Sequence, residues 1–393
     1  MIEFLPANHA VQRINAEART MLVKAQQAVI TRAFPDAYSF CARILHDLRL
    51  DINLPDDLRD KPVTGVSDKS FTELRAFWYE SVVSAGIPES AAGLHVVNLA
   101  QHSQLVRAFD DPEAMLIWAE GKVRTIVEDF PRTAADIEVG RNPGDVLDPY
   151  ILAGTQLLLF GGAFQPAIGA IIAHKALMIL EGLMGHLHEE VVGRMRGNMG
   201  APEPRGENQE LYDPDLNPFP GADIVQPPHA DGMALRLHQV KSKSGTLNAS
   251  GGARLAEQMR QLRMRYRGAE IYSHSLVGNT LRGHRSMGTM LRIEPDLIVT
   301  VGETAFRLLT GSDNGAELLL RLYQNAFRRA AASTGYAIDL MAGHIAETFQ
   351  AKADLAGEVF LEMMLHEVTR GAAASQDSRL YLRKIALPGT NRR

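Results

Sequence analysis

The chain has 393 residues, 46% apolar and 22% charged, ordinary globular composition with enough length for a sizeable core in one elaborated domain or in two or three. A net charge of −5 argues against indiscriminate nucleic-acid binding, and the single cysteine, Cys41, excludes an internal disulfide and a cysteine-based zinc finger. The first residues lack a basic stretch followed by an apolar run, so the expectation is a cytoplasmic protein in which Cys41 is a small core residue.

Residues 1–150 predict a helical N-terminal region. Helical spacing runs through 11–34, 36–48, 68–85 and 111–128, punctuated by Pro35, Pro55, Pro62, Pro88, Pro112 and Pro131. Ser67-Asp68-Lys69-Ser70 and Asp110-Asp111 before Pro112 read as helix starts. Residues 151–173 carry no charge, long enough to raise a transmembrane reading, but Gln156, Gln165, Pro166 and the Gly161-Gly162 pair argue for two buried segments broken at the glycines.

The helix expected from 165 to 196 carries His186, His188, Glu189 and Glu190. Its H-L-H-E-E lacks the H-E-x-x-H spacing of zinc hydrolases, so a zinc site is not expected. A loop rich in Gly, Pro and Asn, 197–220, then leads to residues 222–246, A-D-I-V-Q-P-P-H-A-D-G-M-A-L-R-L-H-Q-V-K-S-K-S-G-T.

That stretch predicts a β-hairpin turning at Ala230-Asp231-Gly232. Antiparallel pairing about this centre sets Asp223 opposite Gln239, and period-two alternation points Gln239 and Lys241 the same way. A carboxylate and an amide oxygen can hold Mg²⁺ while a neighbouring ammonium activates water against a phosphate. Asp231 is the rival acid, but its use needs a turn inside Met233–Leu237, which has no turn-forming residue.

An Asp on one strand followed by Gln-x-Lys on the next resembles the PD-(D/E)xK nuclease superfamily, and type II restriction endonucleases within it. Ala222 stands where the signature proline would be, and Gln239 replaces the usual acid, as in Q-x-K variants. The sequel fits the resemblance: a helix over 251–266 and a strand over 269–277 complete the order of an αβββαβ core. The family often adds a glutamate from the preceding helix to the metal site, which implies Glu190 or Glu189; a solvated helix end is the alternative reading.

From Met233 to Arg292 eleven basic residues face two acidic ones, leaving −14 on the rest of the chain. This basic region is the expected contact to a phosphate backbone. Within it Lys243, Ser244, Thr246 and Asn248 lead into a helix start that can clamp phosphate, and Asn279, Arg282, His284 and Arg285 lie in a loop suited to reading base edges. Asp296, in a literal Pro-Asp, follows the Q-x-K and reads as part of a later strand. Helices are expected over 316–333 and 338–370, and 379–393 as a loosely held tail.

No phosphate-binding G-x-x-x-x-G-K loop, dinucleotide-binding glycine cluster or G-x-S-x-G elbow occurs. The expectation is a mixed α/β (α+β) chain with a restriction-endonuclease-like αβββαβ core in 151–312, the helical region 1–150 before it and C-terminal helices in 313–393. The resemblance implies Mg²⁺-dependent, sequence-specific endonuclease action on double-stranded DNA. Asp223, Gln239, Lys241 and the rival Asp231 are its catalytic candidates, and Asp223, Gln239 and Glu190 its metal ligands, in a cytoplasmic homodimer with no membrane contact. A catalytically impaired DNA-binding or assembly protein, and a junction-resolving or repair nuclease, stay open.

Overall fold

The computed structural model describes residues 16–138, 146–201, 218–243, 249–278, 280, 285–334 and 338–370. Helices α1 (Ala16–Gln27), α2 (Ile30–Ala33), α3 (Ala37–Leu48), α4 (Thr64–Ser67), α5 (Phe71–Ser84), α6 (Glu89–Ala108), α7 (Pro112–Glu138), α8 (Pro149–Gly154) and α9 (Phe164–Gly193) come first. The sheet region follows: β1 (Met199–Gly200), β2 (Ile224–Gln226), β3 (Arg236–Lys243), α10 (Ala249–Arg265), β4 (Glu270–Val277), α11 (Arg285–Ile293) and β5 (Ile298–Val301). Then come α12 (Glu303–Thr310), α13 (Gly315–Thr334), α14 (Ile338–Ala356) and α15 (Phe360–Arg370). The protein is mixed α/β and mostly helical, with a small five-stranded mixed sheet.

Local chemistry accounts for the helix starts. Ser70 and Glu73 cap α5 reciprocally, Ser70 Oγ accepting from Glu73 N at 3.3 Å while Ser70 N donates to Glu73 Oε2 at 2.7 Å. Asp36 and Ser39 do the same for α3. Asp111 Oδ1 accepts from Ala114 N at 3.0 Å, with Pro112 in the first turn of α7. Helix α6 has no counterpart among the sequence expectations. It is buried on several sides, through Val96, Leu99, Ala100, Ser103 and Leu105, so its sequence shows no single apolar stripe.

Packing divides the chain into two compact units, each drawn from two stretches: 1–120 with 184–328, and 121–183 with 329–393. The sequence reading divided the chain at 150 and 312 instead. The observed divisions fall inside α7, α9 and α13, where no turn residue or change of composition signals them.

The first unit holds two cores. One packs α2 to α6 around Phe40, Ile44, Leu74, Leu99 and Trp78, whose Nε1 donates to Ser103 Oγ at 2.8 Å; Cys41 is buried there, its thiol pushed up to about 12 by burial. The other packs α1, α10 and α11 on the sheet through Leu22, Met259, Leu262, Leu237 and Ile271. The second unit centres on Leu152, Ile168, Ile172, Phe349 and Phe360.

The sheet order is β1-β2-β3-β4-β5, antiparallel for the first two pairings and parallel for the last two. Central strands joined in parallel through helices are covered on both faces. Accordingly His238 and Val240 are fully buried on one side of β3, and Leu237 and Gln239 are buried on the other. From α9 onward the elements run helix, three strands, helix, strand. The turn between β2 and β3 falls where expected: Gly232 has φ +76° and Met233 N donates to Ala230 O at 3.2 Å.

Candidate active site

The register of β2 on β3 pairs Ile224 with His238 and Val225 with Leu237. Extending it by one residue sets Asp223 opposite Gln239, and Asp223 N donates to His238 O at 2.8 Å. Asp223 Oδ2 accepts from Gln239 Nε2 at 2.6 Å and from Val240 N at 2.7 Å. These bonds fix the carboxylate against the end of β3.

Bonds of that kind ordinarily favour the ionised form. Asp223 behaves otherwise: enclosure of its carboxyl, and then the negative charge of Glu189, push its pKa up to about 7 against the pull of Lys241, Val240 and Gln239. Some of the residue's surface still reaches solvent.

Lys241 lies two residues beyond Gln239 on the same face of β3, and its Nζ is 3.3 Å from Glu189 Oε1 on α9. Both side chains are part-buried. Glycines let α9 reach the strands. A Cβ on Gly193, one turn after Glu189, would stand 2.8 Å from Gly200 Cα on β1, and Gly185, one turn before it, faces Ser242 Oγ. Helix and sheet backbones thereby approach closely enough for Glu189 to meet Lys241.

The four side chains that come together are Asp223, Gln239, Lys241 and Glu189. Gln239 Nε2 is committed to Asp223, and Gln239 Oε1 is buried with no hydrogen-bond partner among the described residues. Turning the amide over would put that oxygen against the carboxylate, so the assignment of its two ends follows from the neighbours. A buried, unsatisfied amide oxygen on the residue that holds Asp223, with Glu189 acting on the same carboxyl, supplies oxygen groups of the kind a hard cation takes. Among the described residues no group of three or more His, Cys, Asp or Glu comes together, so a cation here would rest on two carboxylates and an amide.

Two sequence expectations need correction. Glu190 points elsewhere on α9 and pairs with Arg194 at 3.5 Å; it is Glu189 that faces the site, because one helical residue turns a side chain by about 100°. Asp231 is exposed in the turn between β2 and β3 and does not join Gln239, since strand pairing carries Asp223 there instead. His188 Nδ1 is 2.9 Å from Tyr323 Oη, and burial lowers its pKa to about 4.

Part of the basic region is paired within the chain. Arg236 bonds Glu270 at 2.8 Å, Arg260 bonds Glu257 at 2.7 Å, and Arg263 reaches Glu294 at 3.0 Å and Asp296 at 2.9 Å. Asp296 thus serves as an ion-pair partner at the approach to β5. Ser244, Thr246, Asn248, Asn279, Arg282 and His284 lie outside the described residues, as do the side chains of Lys243 at the end of β3 and Arg285 at the start of α11.

A buried polar row crosses the sheet behind the site and was not anticipated. His238 Nδ1 lies 2.8 Å from His274 Nε2, His274 Nδ1 lies 2.6 Å from Thr300 Oγ1, and the Tyr272 ring stacks on both imidazoles. Burial lowers His274 to about 3, so the pair is neutral. Only the register of three strands brings these residues into line.

No protein-family model matches the chain, and no curated protein matches it significantly.

Proposed function

We propose that Asp223, Glu189, Gln239 and Lys241 form the site of a divalent-cation-dependent phosphodiester hydrolase, a DNA endonuclease of restriction type built on an αβββαβ core. The observation that carries this reading is the bond from Gln239 Nε2 to Asp223 Oδ2, which leaves Gln239 Oε1 turned away and unsatisfied beside a carboxylate whose ionisation is opposed by Glu189. The run of elements from α9 to β4 supports it.

Asp223, Glu189 and the Gln239 amide oxygen would hold Mg²⁺, which supplies charge stabilisation at the scissile phosphate and an acidified water. Asp223 would hold it in the ionised form, its Oδ2 fixed by Gln239 and Val240. With Glu189 committed to a cation, Lys241 would be free to orient the attacking water and to offset charge developing on the phosphate oxygens. The neutral Gln239 gives the site one negative charge fewer than an acid would, so the cation is held less tightly.

The test is cleavage of plasmid, mismatched and branched duplex DNA. Cleavage should require Mg²⁺, and Ca²⁺ should support binding without cleavage. Full activity in excess chelator would refute the reading, and preference for branched DNA would move it to junction resolution. The second reading, a binding or assembly protein with an impaired site, draws on the neutral Gln239; it predicts DNA binding with no cleavage in any divalent cation.

A further inference from the structure

We propose that the cleft between α1, the start of α7 and the end of α9, all within the first unit, binds a small aliphatic carboxylate. The cleft encloses about 460 Å³, within the roughly 300–1,000 Å³ of small-molecule sites. Its lining is mostly apolar: Met21, Met115, Met199 and Phe109 contribute to it, and Trp118 adds a second ring. Gly193 and Gly200, whose close approach brings Glu189 to Lys241, line it too. The cleft thus adjoins the candidate active site without including any of its four side chains.

The charged residues of the lining decide the sign of the ligand. Arg196 is buried and donates to Asp110 Oδ1 and to the carbonyls of Ala28, Val106 and Phe109. Asp111 Oδ1 caps α7, and Arg194 lies 4.0 Å over the Trp118 ring while pairing with Glu190. Lys24 is exposed and has no hydrogen-bond or ion-pair partner among the described residues. An anion therefore gains an ion pair at Lys24 without displacing an existing one. A cation would have to compete with Arg196 for Asp110, or with the first turn of α7 for Asp111.

One negative charge suits the cleft better than two. Lys24, Arg194 and Arg196 stand against Asp110 and Asp111, three basic residues to two acidic, so a second anionic charge would meet the aspartates with no cation left to offset it. A carboxylate carries one charge, whereas a phosphate monoester carries nearly two. For the apolar part, Met195 joins the three methionines already named, and these unbranched, adaptable side chains can follow a flexible alkyl chain. A flat aromatic ligand fits less well, because Arg194 already covers one of the two Trp118 faces on which it could stack.

The experiment is titration of the full chain with 11-bromoundecanoate below its micelle-forming concentration, without metal or DNA, so that its outcome is separate from the hydrolase reading. Bromine quenches the fluorescence of a tryptophan it touches, and the chain has two: Trp118 in the cleft and Trp78, fully buried in the core of α2 to α6. The native chain should show saturable, partial quenching that Trp118→Phe removes. Lys24→Glu should bind about 10-fold more weakly, because repulsion replaces attraction. Lys24 is exposed on α1, so this variant should keep the native melting temperature and tests the site even where Trp118→Phe disturbs packing. The uncharged 11-bromoundecanol should bind more weakly than the carboxylate and be indifferent to Lys24→Glu. The absence of saturable quenching, quenching that survives Trp118→Phe, or equal affinity of Lys24→Glu and the native chain for the carboxylate overturns the proposal.

Discussion

Gln239 donates its side-chain amide to Asp223 Oδ2 at 2.6 Å across two antiparallel strands, with the partners 16 positions apart in the chain. That bond aligns the carboxylate, sets the orientation of the amide, and leaves Gln239 Oε1 without a partner among the described residues. The consequences of the arrangement can be tested one residue at a time.

Asp223→Asn should abolish cleavage, by at least about 10³-fold, because it removes a charged cation ligand while keeping a side chain of the same shape. Asp231→Asn, in the exposed turn, should cleave as the native chain does. The reverse pattern in a plasmid-nicking assay would place the acid in the turn.

Lys241→Ala should slow cleavage by about 10²–10³-fold, the usual effect of removing a group aimed at developing charge. DNA binding in Ca²⁺ should change much less, since one contact among several alters affinity only modestly. Equal losses in both measurements would make Lys241 a plain backbone contact.

Glu189 and Glu190 are adjacent in sequence and separated by their facing on α9. Glu189→Gln should weaken cation binding and cleavage together, whereas Glu190→Gln, which loosens the part-exposed pairing with Arg194, worth about 0.3–0.5 kcal/mol, should leave both nearly unchanged. Calorimetric titration with Mg²⁺ distinguishes them; a larger effect from Glu190→Gln would reverse the assignment.

Asp223 couples the site to pH. Its folded pKa, about 7, lies above the ordinary 3.8, so the folded chain holds this proton more tightly than the unfolded one. The resulting contribution to stability is complete below the ordinary value and is lost as pH rises through about 7. Without divalent cation, the native melting temperature should therefore fall from about pH 5 to 8 relative to Asp223→Asn, and Mg²⁺ should recover it at the alkaline end. Cation affinity should rise towards about pH 7 and level off above it; a flat profile would show that Asp223 is ionised throughout.

Gly193→Ala should destabilise the fold by about 1–3 kcal/mol, because its Cβ would meet the β1 backbone at 2.8 Å with no flexible side chain to yield. As α9 moves away to relieve this, Glu189 should separate from Lys241 and cleavage should fall further than stability accounts for. Unchanged melting temperature and activity would mean that α9 is not fixed by this approach.

The sequence by itself determined the hairpin and its register. A turn at Ala230-Asp231-Gly232 followed by an alternating strand favours the pairing that puts Asp223, rather than the rival Asp231, against Gln239 and turns Gln239 and Lys241 to one side. It also determined the helix starts at Ser70 and Asp111, because capping there is a contact between residues a few positions apart. What only the tertiary structure decided depends on elements meeting across long separations. Whether Glu189 or Glu190 faces the site hangs on the rotation of α9, which the glycine approach at Gly193 and Gly200 sets. Likewise, the structure commits Arg236, Arg260 and Arg263, three of the eleven basic residues between Met233 and Arg292, to nearby acids. The two-unit division was hidden for the same reason: it falls inside continuous helices, where local chemistry is uniform and only packing distinguishes one side from the other.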